Sequence, residues 1–408
     1  MLPKYQAVVK SLAGKHTMET KAVLEPSLKQ EPEESRPSLA KQRLVSLDVF
    51  RGITVASMLL VNDPGTWSAI YAPLDHAAWN GWTPTDLVFP FFLFIVGVSI
   101  ELSLASRRDL NASGRAQGPV VRHIIFRALM IFALGVFLNG APYFPWYRLR
   151  VMGVLQRIAL CYLVAALLTV KTSVRTRIAV VGILLFGYWA LMTLVPVPGY
   201  GAGHLDPEGN LGAYIDRALM SGHLWKPRWD PEGWLSTLPA IATTLLGGFA
   251  GQWLGSAATA SKKAQGLLFF GAAGMILGDI WDLWFPINKN LWTSSYTVFT
   301  AGFACVFLAL CYWVIEIKGW KRWATPFRVF GTNALFAFVL SIALAKAGFL
   351  VKFTADGKLI TLQRYIYQHW FAPLGTPKLT SLLFALAFVT FCWLPMALLY
   401  RKKIFIKI

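Results

Sequence analysis

Residues Asp75–Ser99 read DHAAWNGWTPTDLVFPFFLFIVGVS, and from Val88 onward the stretch is almost wholly apolar. Continued to about residue 105, it reaches the roughly 20 residues that a helix needs to cross the hydrocarbon core of a bilayer. A histidine, two tryptophans, an asparagine and an aspartate stand directly before it. An imidazole held where water ends and lipid begins can take a proton from an incoming nucleophile while the embedded protein holds a second reactant. This stretch therefore places candidate chemistry at the mouth of a membrane span.

The rest of the chain agrees with that class. Of 408 residues, 56% are hydrophobic and only 14% charged, and the mean hydropathy is +0.51. That is too apolar for a soluble globular protein, so an all-α, polytopic membrane helix bundle is expected. The formal net charge of +19 is spread in short basic clusters between apolar runs, which suits topology signals better than a nucleic-acid surface. Cys161, Cys305, Cys311 and Cys392 all fall in apolar runs with no CxxC or His/Cys ligand spacing, so neither a disulfide nor a metal site is expected. Residues 1–43 mix Lys, Glu, Pro and Ser without an apolar stretch and read as a flexible cytoplasmic tail, with no cleavable signal peptide. A membrane domain over 44–400 and a basic cytoplasmic tail over 401–408 complete the expected organisation.

Ten spans are expected, at roughly 44–62, 84–105, 121–141, 151–170, 176–195, 235–255, 264–285, 293–316, 326–349 and 378–400. Basic residues recur in alternate connections: Arg107, Arg108, Arg115 and Arg122; Lys171, Arg175 and Arg177; Lys262 and Lys263; Lys318, Lys321, Arg322 and Arg328; and Arg401, Lys402, Lys403 and Lys407 at the end. The intervening connections are poorer, with none between Asp63 and Thr83, Arg148 and Arg150 in the next, and Lys289 between spans seven and eight. The positive-inside rule then puts both termini in the cytoplasm. His76, the loop 196–234, the Asn288-Lys289-Asn290 turn and the segment 350–377 fall together on the external face. Within that last segment, residues 359–374 are aromatic and short, which suits an interfacial or re-entrant helix. No internal repeat of the kind found in many secondary transporters is visible.

Ionisable side chains inside spans are costly, so each is a functional candidate. Asp48 and Arg51, three residues apart, share a helical face and can form a structural ion pair. Asn62 ends span one before Asp63-Pro64-Gly65, where its amide can orient an acyl carbonyl or cap the helix. Asp86 follows Pro84 in the first turn of span two, where a carboxylate favours the positive helix end. If the Asn80-Gly81 turn folds the loop back, Asp86 also reaches His76 and fixes its tautomer, as the carboxylate of a catalytic dyad does. Without that contact, His76 is an ordinary interfacial histidine. Gln156 and Arg157 lie near the external end of span four; the guanidinium suits a phosphate, and a salt bridge to Asp279 or Asp282 is the competing reading. No GxGxxG, P-loop or Ser-centred hydrolase elbow is present.

At these residues the chain resembles the heparan-α-glucosaminide N-acetyltransferase family. The resemblance is carried by RLVSLDVFRG at Arg43–Gly52, Val61-Asn62, HAAWNGWTPTDLVFPFFLFIVGVS at His76–Ser99, GVLQRI at Gly153–Ile158, DPEG at Asp230–Gly233, INKNLWTSSY at Ile287–Tyr296 and GTNAL at Gly331–Leu335. It implies a multispan enzyme that takes an acetyl group from acetyl-CoA and places it on the amine of a terminal glucosamine across the membrane. By resemblance His76 is the active-site residue, Asn62 helps position the acetyl group and Asp86 supports it. The animal enzyme's large lumenal region and leading span have no counterpart here, so the chain resembles a bacterial relative. That departure implies an inner-membrane enzyme with its active-site loop facing the periplasm, acting on a cell-envelope amino sugar. A homodimer is implied by the resemblance alone.

Two routes fit one histidine. His76 removes a proton as the sugar amine attacks the thioester directly, or His76 itself attacks and passes through an acetyl-imidazole. Acetyl-CoA is expected at Arg157, Gln156, Lys289, Asn290 and Asn333. The sugar is expected at Trp79, Asn80, Trp82, Asn288 and Trp292, although tryptophans at a membrane boundary also serve as anchors. Two alternatives remain open on the sequence, an amino-sugar transporter and an O-acetyltransferase of a cell-envelope glycan.

Overall fold

The computed structural model describes residues 44–112, 118–355 and 357–406. The expected tail over 1–43 lies outside them, as do the last two residues of the expected C-terminal tail. All ten expected spans are helical: α1 (Val45–Asn62), α2 (Val88–Ala112) with a 3-10 turn at Pro84–Leu87 before it, α3 (Gly118–Gly140), α4 (Val154–Lys171) and α5 (Val174–Leu194) form the first half. After the short helix α6 (Leu211–Met220) come α7 (Thr237–Leu254), α8 (Ala260–Asp282), α9 (Ser294–Tyr312), α10 (Thr325–Thr332) and α11 (Ala334–Leu350). A β-hairpin of β1 (Lys352–Ala355) and β2 (Lys358–Thr361), the helical turn α12 (Leu362–Ile366) and α13 (Pro377–Arg401) follow. The molecule is an all-α polytopic membrane protein.

Two of the ten segments depart from simple spans. Eight helices among the described residues are individually long and apolar enough to cross a membrane, and α10 with α11 makes a ninth only as a pair bent by 85°. The expected continuous span 326–349 is broken at Asn333, whose amide donates to the Ile404 carbonyl at 3.1 Å and accepts from the Ile406 amide at 2.8 Å. A polar side chain that anchors another segment there cannot also sit against lipid. The other departure is α7, which carries Thr243, Thr244 and several glycines and is not among the helices that pass as spans by length and hydropathy. It is almost entirely buried and packs against α2, α4, α5 and α9. Protein rather than lipid surrounds it, so its threonine hydroxyls need only donate to the carbonyls one turn back, Thr243 to Pro239 and Thr244 to Ala240, each at 3.2 Å.

Small residues let the inner helices touch backbone to backbone. A Cβ placed on Gly97 of α2 would lie 1.8 Å from the Thr244 carbonyl oxygen of α7, and one on Gly331 of α10 would lie 1.8 Å from the Asp48 carbonyl oxygen of α1. Between helices in lipid, such packing replaces the hydrophobic drive that water supplies elsewhere. The Asp48–Arg51 pair forms as expected at 3.1 Å, and Arg51 also donates to Ser99 at 2.8 Å and to the Gly331 carbonyl, tying α1 to α2 and α10.

The connections expected on one face do share one end of the bundle. Gly65 donates to Ser381 at the start of α13, Trp79 to Leu205, Asn288 to Asn80, and Arg150 to Asp230. The segment 359–374 is not a span, since it breaks into β2, α12 and two short helical turns. This end, which carries His76, holds most of the polar structure described next.

Candidate active site

The loop before α2 is shaped by its turn residues. Gly81 adopts φ +89°, a conformation open to glycine at little cost, and its amide donates to the Ile287 carbonyl at 2.7 Å. The Asn288 side-chain amide Nδ2 donates to Asn80 Oδ1 at 3.0 Å, locking the loop to the turn between α8 and α9. With the chain folded back, His76 Nδ1 comes to 2.7 Å from Asp86 Oδ1. The sequence expectation that hinged on the Asn80-Gly81 turn is met in the geometry.

Asp86 works at both ends of its carboxylate. Oδ1 accepts from His76, while Oδ2 accepts from the amides of Ala77 and Thr83 at 3.0 Å each and from the Thr83 hydroxyl at 3.2 Å. Thr83 and Asp86 have the spacing of a capping pair, so helix capping and histidine orientation are one arrangement rather than alternatives. Tyr296 of α9 pins the same turn from below, its hydroxyl donating to the Asp86 carbonyl at 2.5 Å. Asp86 is only 1% exposed, whereas the His76 side chain is 44% exposed. An ionised carboxylate at Nδ1 selects the Nδ1–H tautomer, which leaves Nε2 as the basic nitrogen.

Lys289 completes this cluster. Its Nζ lies 3.0 Å from His76 Nδ1, 3.3 Å from Nε2 and 3.5 Å from Asp86 Oδ1. Burial pulls this ammonium below the usual lysine value, with Asp86 and Glu232 opposing the shift. The INKNLW turn that carries it is closely determined. The buried Asn288 oxygen accepts from Leu291, the Asn288 amide donates to the Thr293 hydroxyl, and Trp292 is held at φ +52°. A bulky residue in that region costs on the order of 1 kcal/mol and persists only where its surroundings impose it. Here Trp292 donates to Thr243 at 3.1 Å and lies beneath the Arg157 guanidinium, 5.1 Å from its ring centroid.

Arg157 has neither Asp279 nor Asp282 as a partner. Its Nη2 donates to the Gly233 carbonyl at 3.1 Å and to the Ser236 hydroxyl, while among the described residues Nε and Nη1 have no hydrogen-bond acceptor, although the residue is fully buried. Asp282 instead accepts from the Ile287 amide at 2.5 Å, helping to form the Lys289 turn. Gln156, also buried, likewise leaves Nε2 unpaired among the described residues. Beside them, the DPEG carboxylates grip Arg150: Nε and Nη2 donate to Asp230 at 3.0 and 2.6 Å, and Nη2 also reaches Glu232. Burial opposes the Arg150 charge, yet Glu232 and Asp230 outweigh it and hold the guanidinium above its ordinary value. This clasp was not anticipated from the sequence, where Arg150 counted only toward topology.

The remaining expected residues divide. Asn80 and Asn288 are spent on each other, and Trp292 lies inside the bundle at 1% exposure, away from any open rim. Trp79 is half-buried, donates to Leu205 and meets Trp229 edge-on, while Trp82 remains 39% exposed against Phe299 and Phe303. Asn290 is half-buried in the same turn as Lys289. Asn62 is exposed at the end of α1 and, among the described residues, makes no hydrogen bond to His76, Asp86 or Lys289. Asn333 is bound to Ile404 and Ile406 and does not join this group.

Fold and site together define a polytopic membrane protein with a carboxylate-oriented histidine exposed at one end of its bundle. Residues 43–276, more than half the chain, match the family model for the catalytic region of heparan-alpha-glucosaminide N-acetyltransferase, and the chain belongs to that family. It is 32% identical over 368 residues to heparan-alpha-glucosaminide N-acetyltransferase of Homo sapiens and 31% identical over 366 residues to that of Mus musculus. Each alignment covers 76% of this chain and 54% of the relative, so the chain spans about half the length of the curated relatives it matches.

Proposed function

We propose that this protein is a transmembrane acyltransferase that moves an acetyl group from acetyl-CoA to the amine of a glucosamine-type sugar, with His76 as base or acetyl acceptor. The observation that carries the reading is the 2.7 Å contact between His76 Nδ1 and a buried Asp86, with the imidazole itself exposed. A histidine so held can accept a proton at Nε2 while Asp86 stabilises the imidazolium. Family membership and the names of the relatives supply the reaction class and the amino-sugar acceptor. The charge bias of the connections supports a reading in which His76 lies on the face away from the cytoplasm, with acetyl-CoA arriving from one side and the sugar from the other. On this reading the protein sits in a bacterial inner membrane with the His76 loop toward the periplasm.

For the donor, the unpaired Arg157 Nε and Nη1 and Gln156 Nε2 are buried groups that lack acceptors, and an acetyl-CoA phosphate or carbonyl would supply them. Beside them, Met58, Phe89, Phe92, Leu155 and Phe338 line a small apolar crevice between α1, α2, α4 and α11, which would have to widen to admit the pantetheine arm. Direct transfer and an acetyl-imidazole make the same demand on Nε2.

Acetyl transfer from labelled acetyl-CoA to glucosamine acceptors, followed by mass spectrometry, tests the assignment. His76→Ala should lower turnover by about a thousandfold or more while acetyl-CoA still binds. Normal turnover in that variant would remove His76 from the chemistry, and label reaching no acceptor in wild type would favour transport.

A further inference from the structure

We propose that Lys289 is a further catalytic residue of the His76 centre, whose ammonium holds the acyl oxygen of the donor thioester while that oxygen is an anion. The inference rests on the acetyl-transfer reading above and reassigns Lys289 from holding a distant part of acetyl-CoA to the reacting carbonyl.

Lys289 Nζ is nearly equidistant from the two ring nitrogens of His76, at 3.0 and 3.3 Å, while Nδ1 is already engaged by Asp86 at 2.7 Å. A group so placed cannot lie along the Nε2 lone pair and must stand against the ring. Nε2 therefore stays free to work as a base, and anything bound at Nε2 has an ammonium within hydrogen-bond reach. Were Lys289 a phosphate ligand, the diphosphate of acetyl-CoA would occupy the histidine, and the thioester would lie a whole pantetheine arm away from the only exposed base of the cluster.

Asp86 already receives hydrogen bonds from His76 and from the Ala77 and Thr83 amides, with the Thr83 hydroxyl shared between it and the Asp75 carbonyl, so the ammonium at 3.5 Å is not needed to satisfy it. The Lys289 backbone is fixed by Asn288 on one side and Trp292 on the other. A donor held in place before the reaction stabilises developing charge without having to reorganise. Lys289 also lies beyond the residues 43–276 matched by the family model.

The amine lone pair forms the N–C bond to the thioester carbon, and the C=O π pair moves onto oxygen, where Lys289 donates a hydrogen bond. The amine proton passes to His76 Nε2. The oxygen pair then re-forms C=O, the C–S bond breaks, and the departing thiolate takes the proton back from His76. Lys289 keeps its own proton throughout. On the acetyl-imidazole route the same oxygen meets the same donor in both half-reactions.

Purified full-length protein in lipid nanodiscs, with acetyl-CoA and glucosamine as probes, provides the test. Lys289→Met is expected to lower kcat about a hundred- to a thousandfold, with acetyl-CoA affinity within about threefold of wild type. Lys289→Arg, which keeps the charge and a donor, should exceed Lys289→Met by about tenfold; this second comparison holds the test open if the methionine variant is poorly folded by its melting temperature. A kcat within about threefold of wild type in Lys289→Met, or a raised acetyl-CoA Kd with kcat intact at saturation, overturns the proposal. If His76→Ala is inactive in the same assay while Lys289→Met is normal, the lysine role alone has failed. An active His76→Ala, or a wild type that transfers no acetyl group, overturns the underlying reading and this inference with it.

Discussion

The one span Pro84–Leu104 carries a buried carboxylate near each end, Asp86 at 1% and Glu101 at 2% exposure. Both face cationic or titratable partners from outside the span. Glu101 meets Arg177 of α5 at 2.9 Å, and the Arg177 side chain is itself only 2% exposed and lies against the Phe249 ring. Asp86 meets His76, whose ring is 44% exposed, with Lys289 beside it. Burial of the carboxylate is the same in both cases, so it cannot be what separates a structural pair from a reactive one. The difference lies in the partner: a guanidinium that stays charged and is sealed from water can only hold helices together, whereas a histidine with an open nitrogen can trade protons with a substrate.

Removing the carboxylate at the open end should sharpen that contrast most. Asp86→Asn keeps the size of the side chain but removes the charge that selects the Nδ1–H tautomer, and it is expected to lower kcat by a factor on the order of a thousand or more. Circular dichroism should show an intact helical fold, and acetyl-CoA binding should persist; loss of binding together with activity would mean that Asp86 serves the donor site. At the sealed end the expected pattern is reversed. Arg177→Met removes the cation facing a carboxylate that remains buried, a change that costs on the order of 3 kcal/mol. It should appear as a lowered melting temperature with little change in kcat per folded molecule, and Glu101→Leu combined with Arg177→Met should recover part of the loss. A drop in kcat without a drop in stability would break the comparison.

The smallest expected effect concerns Asp63, just past the end of α1. Burial pushes its carboxyl up to about 7 from the ordinary 3.8. A carboxyl raised in the fold binds its proton more tightly folded than unfolded. It therefore favours the folded state fully below about pH 4, and that contribution is lost as pH rises through about 7. Asp63→Asn should melt with wild type near pH 4 and a few degrees above it near pH 8. Parallel melting curves across that range would show that Asp63 is better solvated than its position implies.

Much of this was legible along the chain because a helix that crosses a membrane must be long, apolar and internally hydrogen-bonded. All ten helical segments, the shared end of the odd connections and the reach of His76 toward Asp86 follow from local pattern, the last through Asn80-Gly81 and the place of Asp86 in the first turn of its span. Arg157 shows where that legibility stops. A guanidinium in a span signals an expensive group, but whether it meets Asp279, Ser236 or a ligand depends on helix rotation and neighbours. Trp292 was misplaced for the same reason: a tryptophan beside a membrane boundary has the same local signature whether it anchors at the rim or lies under Arg157. The break at Asn333 depends on a segment some seventy residues away, Ile404–Ile406, which no local reading connects to it.

By itself the sequence determined the class of the molecule, the places of its helices and the pairing of a histidine with a carboxylate ten residues on, because these depend on hydropathy, helix geometry and turn residues over short distances. Only the tertiary structure decided that Lys289 stands against the His76 ring, that Arg150 is clasped by Asp230 and Glu232, and that Asn80 and Asn288 hold loops together. Those contacts join residues from different connections. Their existence depends on which helix faces meet, and that is set by packing of the whole bundle rather than by any one stretch of chain.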